Sequence, residues 1–430
     1  MVIDTMRGTA EKRRLDAADA TCRATVLALA FLAAPPAMSQ QPPLSALLQE
    51  GESFAARVEH IDAEWTIQFE TDAARRVVPA KDLVRWGEYA DSFRLMQVVL
   101  ADGSLLVAQI ARLAGETLVV DGESCGRLEI PLARARGVIV DPPPSAVARD
   151  RLWEQLSAAQ GIEDQLILKN GDVLRGVLKT VQPRDPSALS GSLVTTFAVE
   201  GRDVAVPESR ILAMIFNPAL VDPAAKPAFC MLAGFRDGSL LNVTQVAVDG
   251  SLVRLTLAGA VTLELDSPSL RTDLTLLQPT GDRITYVSDL PPLSYKHIPY
   301  LETSWPLGRD RSVTGQRLRH GGQTYPKGLG MHSASRVAFH LDGRWRRFEA
   351  ELALDDTAGR QGSVVFRVFL GDGADQWQRA YESPIMRGGE RTVPISIEIG
   401  TARAIALIVD FADGGDVLDR AAWLNARLVK

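Results

Sequence analysis

Three cysteines in 430 residues cannot supply an all-cysteine tetrahedral zinc site or a disulfide-dense scaffold, so hydrophobic cores must hold this fold. A basic excess is also missing. The formal net charge is −6, which leaves no overall footprint for nucleic acid. A mean hydropathy of +0.01 is far too polar for a polytopic membrane protein. The sequence has no Gly-x-Ser-x-Gly elbow, no His-Glu-x-x-His helix and no phosphate-binding loop. These absences point to a protein that is not an enzyme. Glycosidase chemistry, which needs only two facing carboxylates, is not excluded by composition.

What is present is unevenly placed. Nine of the thirteen Trp and Tyr residues, and four of the five histidines, lie between Tyr286 and Lys430. Trp and Tyr join a flat apolar face to a polar edge, which suits recognition surfaces. A larger core in the last domain would concentrate them equally well. At about 100–200 residues per domain, the length predicts two to four domains.

Residues 24–34, ATVLALAFLAA, are apolar, follow Arg23, and lead to Ala37-Met38-Ser39. A charged start, a short apolar run and a small-residue exit predict a signal peptide over 1–39 with cleavage before Gln40. Secreted, periplasmic or cell-surface localisation follows, with no transmembrane segment after cleavage. Only Cys125 and Cys230 would then remain, as a pair or as two separate thiols.

Residues 40–280 read as diverged repeats. Their expected bounds are 40–91, 92–141, 161–221 and 222–280. The last three turn at Asp102-Gly103, Asn170-Gly171 and Asp237-Gly238, dipeptides that suit type I′ hairpins. The first three also carry a proline, Pro79, Pro131 or Pro207, before a short apolar closing segment; Asp266 stands there in the fourth. Four or five short strands per unit suggest small SH3-like or Sm-like barrels. The net charge of residues 40–284 is near −9, which repels phosphate. The units therefore read as spacers or protein-contact modules, with no nucleic-acid partner. Between the second and third, three prolines precede a predicted linker helix in 142–160, capped by Ser145.

From residue 285 the texture changes. Ile395, Ile397 and Ile399 alternate with polar residues, as in a half-buried strand. Residues 364–370 and 404–409 are nearly continuous apolar runs, which predicts central strands covered on both faces. The fold class expected is all-β, ending in a two-sheet β-sandwich over 285–430 that should fold alone.

This last segment resembles a known family. Three blocks occur in order: TYPKGLGMHSASRVAFHLDGRWRRFEAELALDD from Thr324, GSVVFRVFLGDG from Gly362, and DGGDVLDRAAWLNARL from Asp413. They are similar to the NPCBM domain, related to the carbohydrate-binding module of glycoside hydrolase family 98. One departure is Arg420, where a histidine is usual. The resemblance implies a jelly-roll-like sandwich that binds a glycan or polysaccharide and is often attached to secreted enzymes.

A sugar site needs an aromatic face and a few polar groups, and Lys327, His332, Trp345, Trp377 and Trp423 are the candidates. Trp345 lies among Arg344, Arg346 and Arg347, which points to an exposed ring. Trp423 in the closing strand could equally be core, and His332 could instead pin its turn. Asp355, Asp356, Asp416 and Asp419 offer oxygen ligands of the kind a structural Ca²⁺ takes. Residues 285–430 hold 19 Lys and Arg against 17 Asp and Glu. Together with Arg309, Arg311, Arg317 and Arg319, the Trp345 cluster suggests an acidic or sulfated glycan. The functional classes in play are a carbohydrate-binding protein, a structural or protein-interaction protein of the cell surface or periplasm, and an accessory subunit of a glycoside hydrolase.

Overall fold

A computed structural model describes residues 43–89, 91, 95–184, 192–224, 227–281, 283–300, 302–373 and 376–430. The expected signal peptide lies outside the described residues. The described chain is nearly all antiparallel β, with two α-helices, Ala146–Ser157 and Ser267–Asp273. No helix among these residues is long and apolar enough to cross a membrane.

Four times between Leu44 and Gly281 the chain repeats one pairing scheme. A first strand pairs with the next strand on one side and with the last strand of its unit on the other. Leu44–Leu48 does so with Ser53–Ile61 and Leu83–Gly87. Gln97–Leu100 does so with Leu105–Val107 and Ala135–Ile139. Asp164–Leu168 takes Val173–Pro183 and Ile211–Ile215. Phe229–Phe235 takes Leu240–Asp249 and Leu274–Gly281. A helical turn precedes each last strand. Pro79, Pro131 and Pro207 enter the first three at φ −61°, −60° and −69°, the value that a proline ring fixes. In the fourth, Asp266 takes the proline's place and its carboxylate accepts from Ser269 N, capping a longer helix of seven residues.

The hairpin turns differ from the type I′ expectation. Gly103 N donates to Leu100 O and Leu100 N donates to Ser104 O, which closes a three-residue loop. The same pattern recurs at Gly171 and Gly238, and at Gly51 in the first unit. Only the glycine has positive φ, +86° at Gly103 and +93° at Gly171. The Asp102 carboxylate accepts from Ser104 N two residues on, and this holds Asp102 at negative φ. A type I turn with a glycine bulge satisfies the same dipeptide with one left-handed residue instead of two.

The units join edge to edge. Ala135–Ile139 pairs with Ile211–Ile215, and Leu83–Gly87 pairs with Leu274–Gly281. Between the second and fourth units, Ser104 Oγ accepts from Asn242 N and Ser239 Oγ accepts from Val107 N, both at 2.9 Å. The two serines hold equivalent places in Asp-Gly-Ser, so the contact is reciprocal. Ser145 caps the Ala146–Ser157 helix, which packs Leu152 and Leu156 onto Val99, Ile139 and Ile215.

The C-terminal segment is two facing sheets. One has Arg420–Val429 at its centre, flanked by Arg347–Leu354 and Gly328–His332. The other runs Ser294–His297, Ser335–His340, Ala404–Phe411, Ser363–Gly371, Trp377–Glu382. Leu329, Met331, Phe348 and Trp423 meet Val337, Phe339, Phe366 and Leu407 between them. The strand covered on both faces is Arg420–Val429, because Leu318 and Tyr325 pack on Ala422 and Leu424 of its second face and Gln278 of the fourth unit reaches Asn425. Ala404–Phe411 and Ser363–Gly371 are central in their sheet but covered on one face only. Ile408, Val365 and Phe369 on the other face are half-buried.

Candidate functional site

The structure separates the five residues expected to contact sugar. Trp423 is fully buried and meets the Phe366 ring edge-on at 4.9 Å. Trp345 is only 5% exposed and belongs to the same core. Both are corrections. The arginines around Trp345 do not mark an exposed ring. Arg344 folds its guanidinium over the indole at 4.9 Å, while Arg347 turns away to Glu349 and to Gln49 O. Long cationic side chains cover apolar edges in this way.

Lys327 is corrected as well. Its ammonium is held by Asp289 at 3.1 Å and Asp310 at 2.9 Å. Burial alone would favour the neutral amine, but the two carboxylates hold it protonated well above its ordinary range. It lines a cleft of about 530 Å³ between the repeats and the sandwich, beside Trp153, Asn242 and Arg309. Five residues of strand separate it from His332, about 16 Å at ~3.3 Å per residue.

The four aspartates do not form a ligand set. No group of three His, Cys, Asp or Glu able to hold a metal occurs among the described residues. The strand ends at Leu354, and Asp355 caps the following turn, accepting from Thr357 N and from Arg319 N. Asp356 accepts from Gly321 N and Gly322 N. Asp419 accepts from Ser363 N at 2.8 Å. Donors from the chain occupy Asp355 and Asp356 and one oxygen of Asp419, while Asp419 Oδ2 is buried without a partner.

His332 and an unforeseen residue, Trp305, build the best-formed site. Strand Ser294–His297 delivers His297, and strand Gly328–His332 ends on His332. The loop after His297 folds back, pinned by Ile298 N to Ala334 O and by the Tyr295 hydroxyl to Trp305 O. Trp305 N donates to His297 Nδ1 at 3.2 Å. Half-buried Trp305 lies flat on His332, with centroids 5.0 Å apart and planes 11° apart. His297 meets His332 edge-on at 5.8 Å. His332 is 3% exposed and its Nδ1 has no hydrogen-bond partner.

The electrostatics keep both imidazoles neutral near pH 7. Burial, then the neighbouring His297, push His332 down to about 4. Burial also lowers His297. Asp416 is close enough to act on both in the opposite sense. Burial pushes Asp419 up to about 6. Arg420, the departure from the family pattern, pairs in register with His332 and gives its guanidinium to Thr357 O. The corner thus offers an aromatic stack, neutral nitrogens and one half-buried carboxylate, Asp416. Asp416 and Asp419 lie on one loop, not on opposing walls as hydrolysis of a glycosidic bond requires.

Trp377 is the one expected contact residue with a substantially exposed ring, at 44%. It stands on the edge strand Trp377–Glu382. Trp305 was legible only as part of the aromatic run Tyr295, Tyr300, Trp305. Nothing in that spacing shows that the loop returns to His332.

The arginines expected to meet an acidic glycan are engaged elsewhere. Arg317 Nε donates to Asp150 Oδ1 at 2.7 Å and its Nη2 to Asp91 Oδ1 at 3.1 Å. Arg319 reaches the same two carboxylates. Arg311 lies over Trp153 and pairs with Glu154. Arg309 donates to Ser288 O.

Comparison with known proteins finds a family match over the C-terminal third of the chain. Residues 283–429 match the family model described as NPCBM/NEW2 domain. A protein named "Putative endo-alpha-N-acetylgalactosaminidase" from Renibacterium salmoninarum is 31% identical over 153 residues, 35% of this chain. "Alpha-1,3-galactosidase B" of Akkermansia muciniphila is 30% identical over 120 residues, 27% of this chain. The matches span 10% and 14% of those two relatives. Among solved structures, a CBM51 from Clostridium perfringens GH95 in complex with methyl-galactose is 21% identical. It covers 34% of this chain and 99% of its own, with TM-score 0.30. The tandem CBM51 modules of a family 98 glycoside hydrolase from Streptococcus pneumoniae are 12% identical, covering 64% and 90%, with TM-score 0.29. The C-terminal third of the chain, residues 283–429, is an NPCBM/NEW2 domain.

Proposed function

We propose that this is an exported, non-catalytic carbohydrate-binding protein whose NPCBM/NEW2 domain holds a glycan at the corner of Trp305, His332 and His297. The observation that carries this reading is the indole stacked on a buried imidazole whose Nδ1 is unpartnered. A pyranose has an apolar C–H face for the indole and hydroxyls for His297, His332 and Asp416. The methyl-galactose and GlcNAc named with CBM51 structures are sugars of this size class. Family membership supports the same reading. The sandwich is taken as jelly-roll-like. The four units are taken as SH3-like barrels, from their first-to-last strand closure, and as spacers or protein-contact modules.

The names of the curated relatives favour an accessory role beside a glycoside hydrolase. A panel of immobilised glycans, probed with the full chain and with Trp305→Ala, tests the main reading. Binding that falls about tenfold in the variant supports it, the order expected for one aromatic contact. Binding to no glycan, or binding indifferent to Trp305, overturns it.

A further inference from the structure

The sheet Ser294–His297, Ser335–His340, Ala404–Phe411, Ser363–Gly371, Trp377–Glu382 turns one face to the core and the other to solvent. The register identifies the outer residues. Lys296 stands opposite Arg336, Arg336 opposite Ile408, Ile408 opposite Arg367, and Arg367 opposite Glu382. A second row holds His340, Ala404, Gly371 and Trp377. Between them lie Ala338, Ala406, Phe369 and Arg379.

Two features of this face point to a ligand. The first is charge. Arg367 and Arg379 are paired with Glu382, and Arg367 also with Asp410. Lys296 and Arg336 are exposed and directly opposite each other, and neither has an ion pair among the described residues. Like charges opposite one another across strands destabilise a sheet. A bound anion removes that repulsion. The second feature is Trp377. A Cβ built on Gly371 would lie 3.1–3.2 Å from three atoms of the indole, Cε3, Cζ3 and Cδ2. The ring therefore packs on the Gly371 backbone while Trp377 stays 44% exposed. Any side chain at 371 would lift it.

We infer that this outer face is a second binding surface, for an anionic polysaccharide such as a uronate or sulfated chain. Trp377 stacks one sugar ring, and Lys296 and Arg336 take carboxylate or sulfate groups further along. Four strand spacings separate the cationic edge from the Trp377 edge, about 19 Å at ~4.8 Å each. A polymer spans that distance and a single sugar does not. The small side chains of Ala338, Ala404 and Ala406 let the polymer lie close to the sheet. The cationic end shares strand Ser294–His297 with the Trp305 corner, but neighbouring residues of a strand point to opposite faces, so Lys296 and His297 serve different surfaces, and Trp377 stands on the far edge of the sheet.

The test uses the full chain with four probes: polygalacturonate, dextran sulfate, neutral dextran and single-stranded DNA. Four proteins are compared: wild type, Lys296→Glu/Arg336→Glu, Trp377→Ala and Trp305→Ala. The inference expects wild type to bind polygalacturonate or dextran sulfate over neutral dextran and DNA. The charge-reversed variant should lose about tenfold in affinity at low salt. That loss should shrink near 1 M salt, where screening acts within ~3 Å. Trp377→Ala should lose affinity at every salt concentration, because stacking is not screened. Trp305→Ala should bind like wild type, which separates this site from the corner. The thermal melts of the charge-reversed and Trp377 variants should match wild type, since Lys296, Arg336 and Trp377 project outward. The inference is overturned if the charge-reversed variant or Trp377→Ala binds the acidic polymers like wild type. It is also overturned if DNA binds as tightly as the polysaccharides.

Discussion

Arg317 and Asp150 are 167 positions apart in sequence, yet the guanidinium Nε and backbone N of one both donate to the carboxylate of the other, at 2.7 and 3.0 Å. Asp150 is fully buried, and Arg149, Arg319, Asp91 and the Tyr89 hydroxyl complete the cluster. This network fastens the helix between the repeats to the sandwich. Replacing Asp150 by Ala leaves Arg317 and Arg319, with Arg149, sharing the single carboxylate of Asp91. Urea unfolding of the full chain should show a loss of about 3–5 kcal/mol, the usual result of removing one partner of a buried pair.

The same joint sets what happens to the sandwich when it is cut free. A fragment spanning 285–430 loses Asp91 and Asp150, Gln278 beside Tyr286 and Asn425, and Val84 beneath Tyr286. It also loses Ile284 from the strand that pairs with Val429. The fragment should melt below the full chain and be cut sooner by protease. An equal melting temperature would show that the joint contributes nothing to the module.

Acid should weaken the joint. Burial opposes ionisation of Asp91 and Asp150, but the surrounding arginines prevail and hold both carboxyls below their ordinary range. A depressed folded-state pKa gives stability that is present above the unfolded value of 3.8 and lost as pH falls through the folded one. Stability should therefore drop steeply below about pH 4. In Asp150→Asn that part of the drop should be smaller.

Two groups in the corner pull in opposite directions at higher pH. His332 lies at about 4 in the folded chain against 6.5 unfolded, so the unfolded state binds more protons and stability rises with pH between them. Asp419 lies at about 6 against 3.8, so its contribution falls with rising pH over nearly the same window. The melting temperature should stay nearly flat from about pH 4 to 6. In Asp419→Asn, which keeps the acceptor for Ser363 N, it should climb with pH across that range.

Core and contact tryptophans should separate by their readouts. Trp423→Ala should cost about 3–5 kcal/mol of stability, as large aromatic truncations in cores do. Trp305→Ala should leave the unfolding midpoint close to wild type and change glycan binding. A Trp423 variant of wild-type stability would contradict its place in the core.

Gly87 offers a sharper steric test. Its φ is +75°, and a Cβ there would sit 2.0 Å from Thr275 O, where the first and fourth units pair. Gly87→Ala should push these strands apart and destabilise the repeats by about 1–3 kcal/mol. A neutral effect in chemical denaturation would show that the junction can relax.

Much of this protein follows from local chemistry that a linear sequence carries. Asn-Gly and Asp-Gly stop strands, Pro79, Pro131 and Pro207 open the closing turns, and Ser145 caps a helix; each depends only on residues a few positions away. The three blocks of the last module mark its family for the same reason, since a turn such as Lys-Gly-Leu-Gly needs its residues adjacent. Burial is a different kind of property. Trp345 among three arginines and Trp377 beside glutamines look alike as strings. One is core and the other is open, because a sheet has two faces and only the assembled molecule decides which is covered. Arg317 and Arg319 looked like ligand contacts because Asp91 and Asp150, which neutralise them, come from remote parts of the chain. Trp305 stayed hidden for the complementary reason: it became a site residue only when a ten-residue loop returned to lay its ring on His332. Turn and strand chemistry is short-range and was legible; pairing of charges and stacking of rings is long-range, and tertiary structure alone decided it.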